Sequence, residues 1–410
     1  MTFALKPLPL VFASGVLVHG AYDAVRVLVS YRVINLGGGG AEVGLVAATF
    51  ALVPLVLALR IGRWVDGHGS WGVMVVGGAL SLVACVGVLF SPTLLLLGLS
   101  NALLGLGQVM TFLAGQGVIM ENLPPEKFVN GFALFSLSVA VGQSIGTPLV
   151  GVLVEIRRTG GPGGIVDVDL AMMAMVVAVA LALPLMLLLP RLQGGDGRAQ
   201  SSRRKPDMLG IARIHGMPAA VYASLVVLTG IDLITAYLPV VGEYYGIAPL
   251  TVTLLVALRS VFSMLSRAGM PLLMRVASGP TLLTAALAVS APAIIAAAFT
   301  GNVAWLAVLM AVVGFCWGMS QPLSMNWVAI LVDPSIRASA LSLRLTGNRL
   351  AQVAVPALAG ALSGTFGPGV VFLTSGLLTG TAAVSTRIFF KESPKEKPGE
   401  PEAPGERNES

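Results

Sequence analysis

The chain has 410 residues, 56% of them hydrophobic and 11% charged, against about 25% charged residues in soluble domains. With a mean hydropathy of +0.88, this composition excludes a water-soluble globular fold, because helices lacking regular Lys and Glu on an outer face aggregate in water. The net charge of +6 is not a nucleic-acid footprint, since the basic residues cluster in short segments between apolar runs.

A bilayer core needs about 20 apolar residues per spanning helix, and twelve such runs follow one another along the chain. The first, Leu10–Ile34, carries His19, Asp23 and Arg26. Asp23 and Arg26 are one helical turn apart and so able to pair, and His19 lies one turn earlier on that face. The second run, Glu42–Ile61, leads into the segment Gly62–Gly69, and the third covers Trp71–Phe90. The fourth, Thr93–Met120, holds Asn101, Gln108 and Gln116, and the fifth, Phe128–Val154, holds Gly142, Gly146, Pro148 and Gly151. Val166–Leu189 is the sixth run. After it comes the longest internal polar stretch, with Arg198, Arg203, Arg204 and Lys205 among Gly, Ser and Gln.

The second set begins with Pro218–Val241, which contains Asp232, and Pro249–Ala268, which contains Arg259. Thr281–Phe299 carries no charge, and Val303–Val328 offers Gln321 and Asn326. Ala338–Leu362 holds Arg344, Asn348 and Arg349, and Gly369–Phe389 is the last run. Residues 391–410 are rich in Pro, Glu and Lys without an apolar face, the composition of a disordered tail. The expected fold is therefore an all-α integral membrane protein, with twelve transmembrane helices in two six-helix pseudo-symmetric bundles. The expected boundaries are 1–190 and 218–390 for the bundles, 191–217 for a cytoplasmic linker and 391–410 for a cytoplasmic tail.

Charge sets the expected orientation. With the N-terminus inside, eighteen of the 25 Lys and Arg fall in cytoplasmic segments or helix ends, and Arg32, Arg157 and Arg158 fall on the outer side. Such a bias follows the positive-inside rule and places both termini in the cytoplasm of a prokaryotic cell. A shift of 209 residues also superposes Asp23 on Asp232, Gly105 on Gly314, Pro125 on Pro334, Gln143 on Gln352 and Gly151 on Gly360. A shared offset for an acid, an amide and a loop proline indicates duplication of a six-helix unit.

Two parallel six-helix repeats joined by a basic linker resemble the major facilitator superfamily, in which the substrate site lies between the halves near the midplane. The segment Gly62-Arg-Trp-Val-Asp66-Gly-His-Gly69 looks like that family's cytoplasmic signature after the second helix. The resemblance implies a tight turn at Gly62 and Gly69. It also implies a gating role for Asp66, with Arg337 or Arg344 as its partners. Gly67, Ser70 and Trp71 stand where the pattern prefers basic residues. Gly142–Gly151 is similar to the glycine–proline motif of the family's exporters, although Thr147 and Val152 interrupt it, and ordinary helix packing explains it equally well. Asn101 occupies the place of the antiporter pattern's arginine, ahead of Gly105 and Gly107.

Charges inside spans are costly and face a partner or an aqueous cavity, so two readings of them stand side by side. In one, Asp23–Arg26 is a structural pair, His19 makes a simple hydrogen bond and the Arg344 head reaches the cytoplasmic surface. In the other, Arg26, Arg259 and Arg349 make a central cavity electropositive, while Asp23 or Asp232 carries a coupling proton. Gln108, Gln116, Gln321, Asn326 and Asn348 are candidate neutral contacts for the solute. Four span-interior arginines against two aspartates favour an anionic or zwitterionic solute.

The expected function is a monomeric secondary active transporter that moves a small organic solute by alternating access with protons, in contact with the lipid bilayer and with no nucleic acid. A multidrug or metabolite efflux antiporter is the alternative within the family, and a membrane sensor or scaffold is the alternative of another class. No nucleotide-binding loop occurs in the sequence. Cys85 and Cys316 lie in separate apolar runs, and His19, His68 and His215 form no catalytic or metal-ligand spacing. Neither an enzyme activity, a metal nor a cofactor is expected.

Overall fold

In hydrocarbon every backbone N–H and C=O must be bonded within the protein, which leaves long helices as the economical spanning element for these apolar runs. A computed structural model describes residues 7–124, 127–157, 166–189, 208–333 and 336–391. Among them lie thirteen helices and no strand: α1 (Pro7–Asn35), α2 (Gly40–His68), α3 (Ser70–Leu89), α4 (Leu94–Asn122), α5 (Phe128–Arg157), α6 (Asp169–Leu187), a short α7 (Met208–Ala212), α8 (Met217–Tyr245), α9 (Pro249–Val276), α10 (Gly279–Ala297), α11 (Val303–Ile330), α12 (Arg337–Phe366) and α13 (Gly369–Lys391).

Local chemistry sets several of the ends. Thr93 accepts from the Leu96 N–H at 3.3 Å and opens α4, and Asn302 accepts from Ala304 and Trp305 and opens α11. Proline stands in the first turn of α8, α9 and α10, where its missing N–H costs nothing. Every predicted run is found as a long helix, usually longer than its apolar stretch, because helical bonding continues where hydropathy stops.

Eleven of these helices are long and apolar enough to cross a membrane, one fewer than the twelve expected. The helix that falls short is α12, interrupted by Arg344, Asn348, Arg349 and Gln352. It packs against α2 and α8 in the middle of the molecule, so its polar residues meet protein. The predicted linker is described only from Met208 onward. There α7 packs on α8 and α12. Pro125, Pro334, Arg158 and the tail beyond Lys391 lie outside the described residues.

Helices α1–α6 pack on one another, chiefly α1 on α5 and α6, and α4 on α2 and α3. Helices α8–α13 do the same, through α9 on α11, α10 on α11 and α13, and α8 on α12 and α13. Across the two sets, α2 packs on α12, α5 on α9 and α1 on α8. Every cross-set hydrogen bond or glycine close approach among the described residues lies at mid-helix or toward the end where α1 turns into α2. There the Tyr237 hydroxyl donates to the Gly40 carbonyl at 2.7 Å. Gly44 lies so close to the Pro356 carbonyl, the Tyr237 hydroxyl and Gly360 that no Cβ fits. Toward the opposite end α9 loses cover: it is mostly buried from Pro249 to Arg259 but mostly exposed from Leu265 to Val276.

Candidate functional site

The charged residues meet where α1, α2, α8, α9 and α12 converge. The Arg26 Nη2 of α1 donates to Asp232 Oδ1 of α8 at 2.7 Å, and the pair is 11% and 10% exposed. Asp232 Oδ2 accepts from Gln352 Nε2 of α12 at 2.6 Å. Gln352 in turn accepts from Arg349 Nη1 at 3.0 Å. The Arg26 guanidinium lies 4.7 Å from the centre of the Phe50 ring of α2, a cation–π contact. One carboxylate thus joins the two halves, with both its oxygens in charge-assisted or amide hydrogen bonds.

This arrangement corrects the local pairing expected on α1, since Arg26 takes Asp232 as its partner in place of Asp23. Asp23 is 8% exposed and makes no hydrogen bond among the described residues. It lies within electrostatic reach of Arg26, Arg259 and Asp232. Arg259 is 4% exposed. Among the described residues its only hydrogen bond is a long one of 3.4 Å to the neighbouring Ser260 hydroxyl, and its Nε has no partner there. The repeat is broken here. Gln143, the counterpart of Gln352, makes no bond to Asp23, the counterpart of Asp232.

His19 does not join the charged face. It is buried among Tyr22, Phe112 and Phe135, with ring centres 5.4 to 5.9 Å away. The turn of α1 that separates it from Asp23 directs it between α4 and α5.

A second polar network lies nearer the end that carries the described termini. Arg344 Nη2 donates to Gln321 Oε1 at 2.8 Å and to the Ser324 hydroxyl at 3.2 Å. Gln321 donates to the Ser224 carbonyl at 3.2 Å, and the Ser224 hydroxyl donates to Asn348 at 3.0 Å. Arg344 is therefore held inside the bundle and does not reach for the surface. Gln321 and Asn348, expected as solute contacts, tie α8, α11 and α12 together. Asn326 is exposed, and Gln108 and Gln116 are half-buried.

The segment expected as a loop after α2 is helical from Gly62 to His68, because Arg60–Val65 continue the helix without a breaker. Only Gly69, at φ 80°, makes the turn into α3. The side chain of Asp66 lies outside the described ones. Arg337 donates to the Ala329 carbonyl at 3.0 Å, and among the described residues the hydrogen bonds of Arg337 and Arg344 fall within the second half. Sequence reasoning missed Glu121, whose carboxylate accepts from the Ser70 N–H at 2.9 Å and the Ser70 hydroxyl at 2.7 Å. An acid at the N-terminus of α3 satisfies free N–H groups and the helix dipole.

Asn101, at the place of the antiporter arginine, donates to the Val46 carbonyl at 2.8 Å and to Thr49 at 3.2 Å. It clamps α4 to α2. Gly142 and Gly146 of α5 abut Gly20 of α1, so the glycine–proline segment serves a close helix crossing. On the α1–α2 turn side of Arg26 lies a narrow cavity of about 10 Å³, whose lining includes Ser30, Val33, Asn101 and Ala236.

Comparisons with known proteins agree with this architecture. The family model for the Major Facilitator Superfamily matches residues 11–329 and again 220–409. A point mutant of the nucleoside transporter NupG superposes with a TM-score of 0.77 at 14% identity, covering 94% of this chain and 99% of that one. A POT family transporter in complex with a thioalcohol-conjugated peptide gives 0.76 at 13% identity, with 94% and 96% covered. A bacterial homolog of the human lysosomal transporter Spinster, in an inward-facing and occupied conformation, gives 0.72 at 14% identity, with 95% and 97% covered. At such identities the likeness shows the fold alone. No curated protein matches the chain in sequence. With the family model spanning nearly all of it, the chain is a multi-pass membrane protein that belongs to the major facilitator superfamily.

Proposed function

We propose that this transporter moves a small anionic or zwitterionic organic solute by alternating access, coupled to protons. The observation that carries the reading is the mid-bundle cluster of Arg26, Arg259 and Arg349 against Asp23 and Asp232, drawn from both halves. Three permanent cations against two acids leave the interior electropositive, and arginine stays charged at any physiological pH. The cross-half seal on the α1–α2 turn side supports an inward-facing state, with both termini cytoplasmic and the halves 1–190 and 218–390 as the moving bodies.

Asp23 is the better candidate for the coupling proton. Asp232 is held by two hydrogen bonds, whereas Asp23 has none and is free to change its charge without breaking the joint between halves. The test is solute flux in proteoliposomes under an imposed pH gradient. Asp23→Asn should abolish the response to the gradient while retaining exchange of solute for solute at saturating concentrations. Wild-type acceleration by the gradient in that variant would remove proton coupling through Asp23.

A further inference from the structure

Two buried opposite charges on different halves lack direct charged partners among the described residues. Asp23 on α1 makes no hydrogen bond, and Arg259 on α9 has only a long bond to its neighbour and an unpartnered Nε. Each lies within electrostatic reach of the other, yet no ion pair forms between them. Their neighbours Arg26 and Asp232 cancel one another in direct contact. Arg349 is tied through Gln352 to that pair, which leaves Asp23 and Arg259 as one anion and one cation held apart, each costly to bury uncompensated.

A dipolar gap between halves fits a dipolar ligand better than a net-charged one. A simple anion would satisfy Arg259 and add its repulsion to Asp23, and a simple cation would do the reverse. We propose that Asp23 and Arg259 form the two poles of a subsite for a zwitterion carrying an ammonium and a carboxylate, as an α-amino acid does. The ammonium donates to the Asp23 carboxylate, and the ligand carboxylate receives the planar guanidinium of Arg259. Because the poles sit on α1 and α9, the bound ligand joins the halves at the level about which they pivot. The inference rests on the transporter reading and narrows its solute class.

The experiment is equilibrium binding to the purified full chain in detergent. The probes are α-amino acids with aliphatic, aromatic, acidic and basic side chains, with the 2-hydroxy acid and the amide of each. The amino acid should bind about tenfold or more tightly than its hydroxy acid, which lacks the ammonium, and than its amide, which lacks the carboxylate. Asp23→Asn should erase the discrimination against the hydroxy acid, and Arg259→Gln that against the amide. The ligand series on the wild-type chain decides the matter even where a variant fails to fold. Hydroxy acid binding as tightly as amino acid overturns the zwitterion subsite and leaves an anion transporter standing. Amide, hydroxy acid and amino acid binding equally overturns both. Absence of binding by every probe overturns the subsite, with the flux assay left to judge transport.

Discussion

The Arg26–Asp232 joint is the cross-half ion pair among the described residues, and breaking it from either side should be expensive. Asp232→Asn keeps the shape and the amide contact to Gln352 but leaves the Arg26 guanidinium, 11% exposed, without its counter-charge. Arg26→Gln leaves a buried carboxylate supported by one amide donor at 2.6 Å. Removing one member of a buried pair typically costs about 3–5 kcal/mol. Asp23 lies within electrostatic reach of Arg26 and offsets part of the loss in Asp232→Asn, which places that variant near the lower figure of about 3 kcal/mol. In the double variant Arg26→Gln/Asp232→Asn no charge is stranded, and two amides can bond across the same gap. Its loss should fall short of the summed singles by about 2 kcal/mol, within the range for residues sharing one network. Equilibrium unfolding in mixed detergent and SDS micelles measures all four states of this cycle. Losses that add to within about 0.5 kcal/mol would refute the coupling and leave the close contact energetically idle.

Two other perturbations probe the seal and the clamp. Gly44→Val places methyl groups against the Pro356 carbonyl and the Gly360 backbone, an overpacking of about 1–3 kcal/mol that acts only on the state closed at the α1–α2 turn. With Cys85 and Cys316 replaced by Ser and a single cysteine at Val33, labelling by an impermeant thiol reagent from the outer side should quicken about tenfold. An unchanged rate would show that the seal does not depend on this approach. Asn101→Arg would install the antiporter pattern's cation at a site now 2% exposed and bonded to Val46 and Thr49. With no acid placed to receive it, the folded yield in fluorescence-detected size exclusion should collapse, while Asn101→Ala should lose about 1–3 kcal/mol. An Arg variant as stable as wild type would contradict the clamp.

Much of the architecture was legible in the chain itself. Hydropathy is a local property, and a bilayer of roughly fixed thickness turns it into helix lengths, so all twelve apolar runs reappear as long helices. The polar cost of α12 was also visible, because Arg344, Asn348 and Arg349 interrupt its run. Ends were less legible. Gly62–His68 reads as a turn by its glycines, yet nothing there breaks helical bonding, and α2 continues until Gly69.

Partner choice could be decided only by the tertiary structure. From sequence, Asp23 is the natural mate of Arg26 because it sits one turn away. The fold instead brings Asp232 from 206 residues off to 2.7 Å, and a charge-assisted bond between well-aimed groups prevails over mere proximity along a helix. The same holds for Arg344, bonded to Gln321 on α11, and for His19, turned into a nest of rings. Burying a charge obliges it to find a partner, and that obligation can be read from sequence. Which partner answers depends on side-chain direction and helix crossing, and these exist only once the helices have packed.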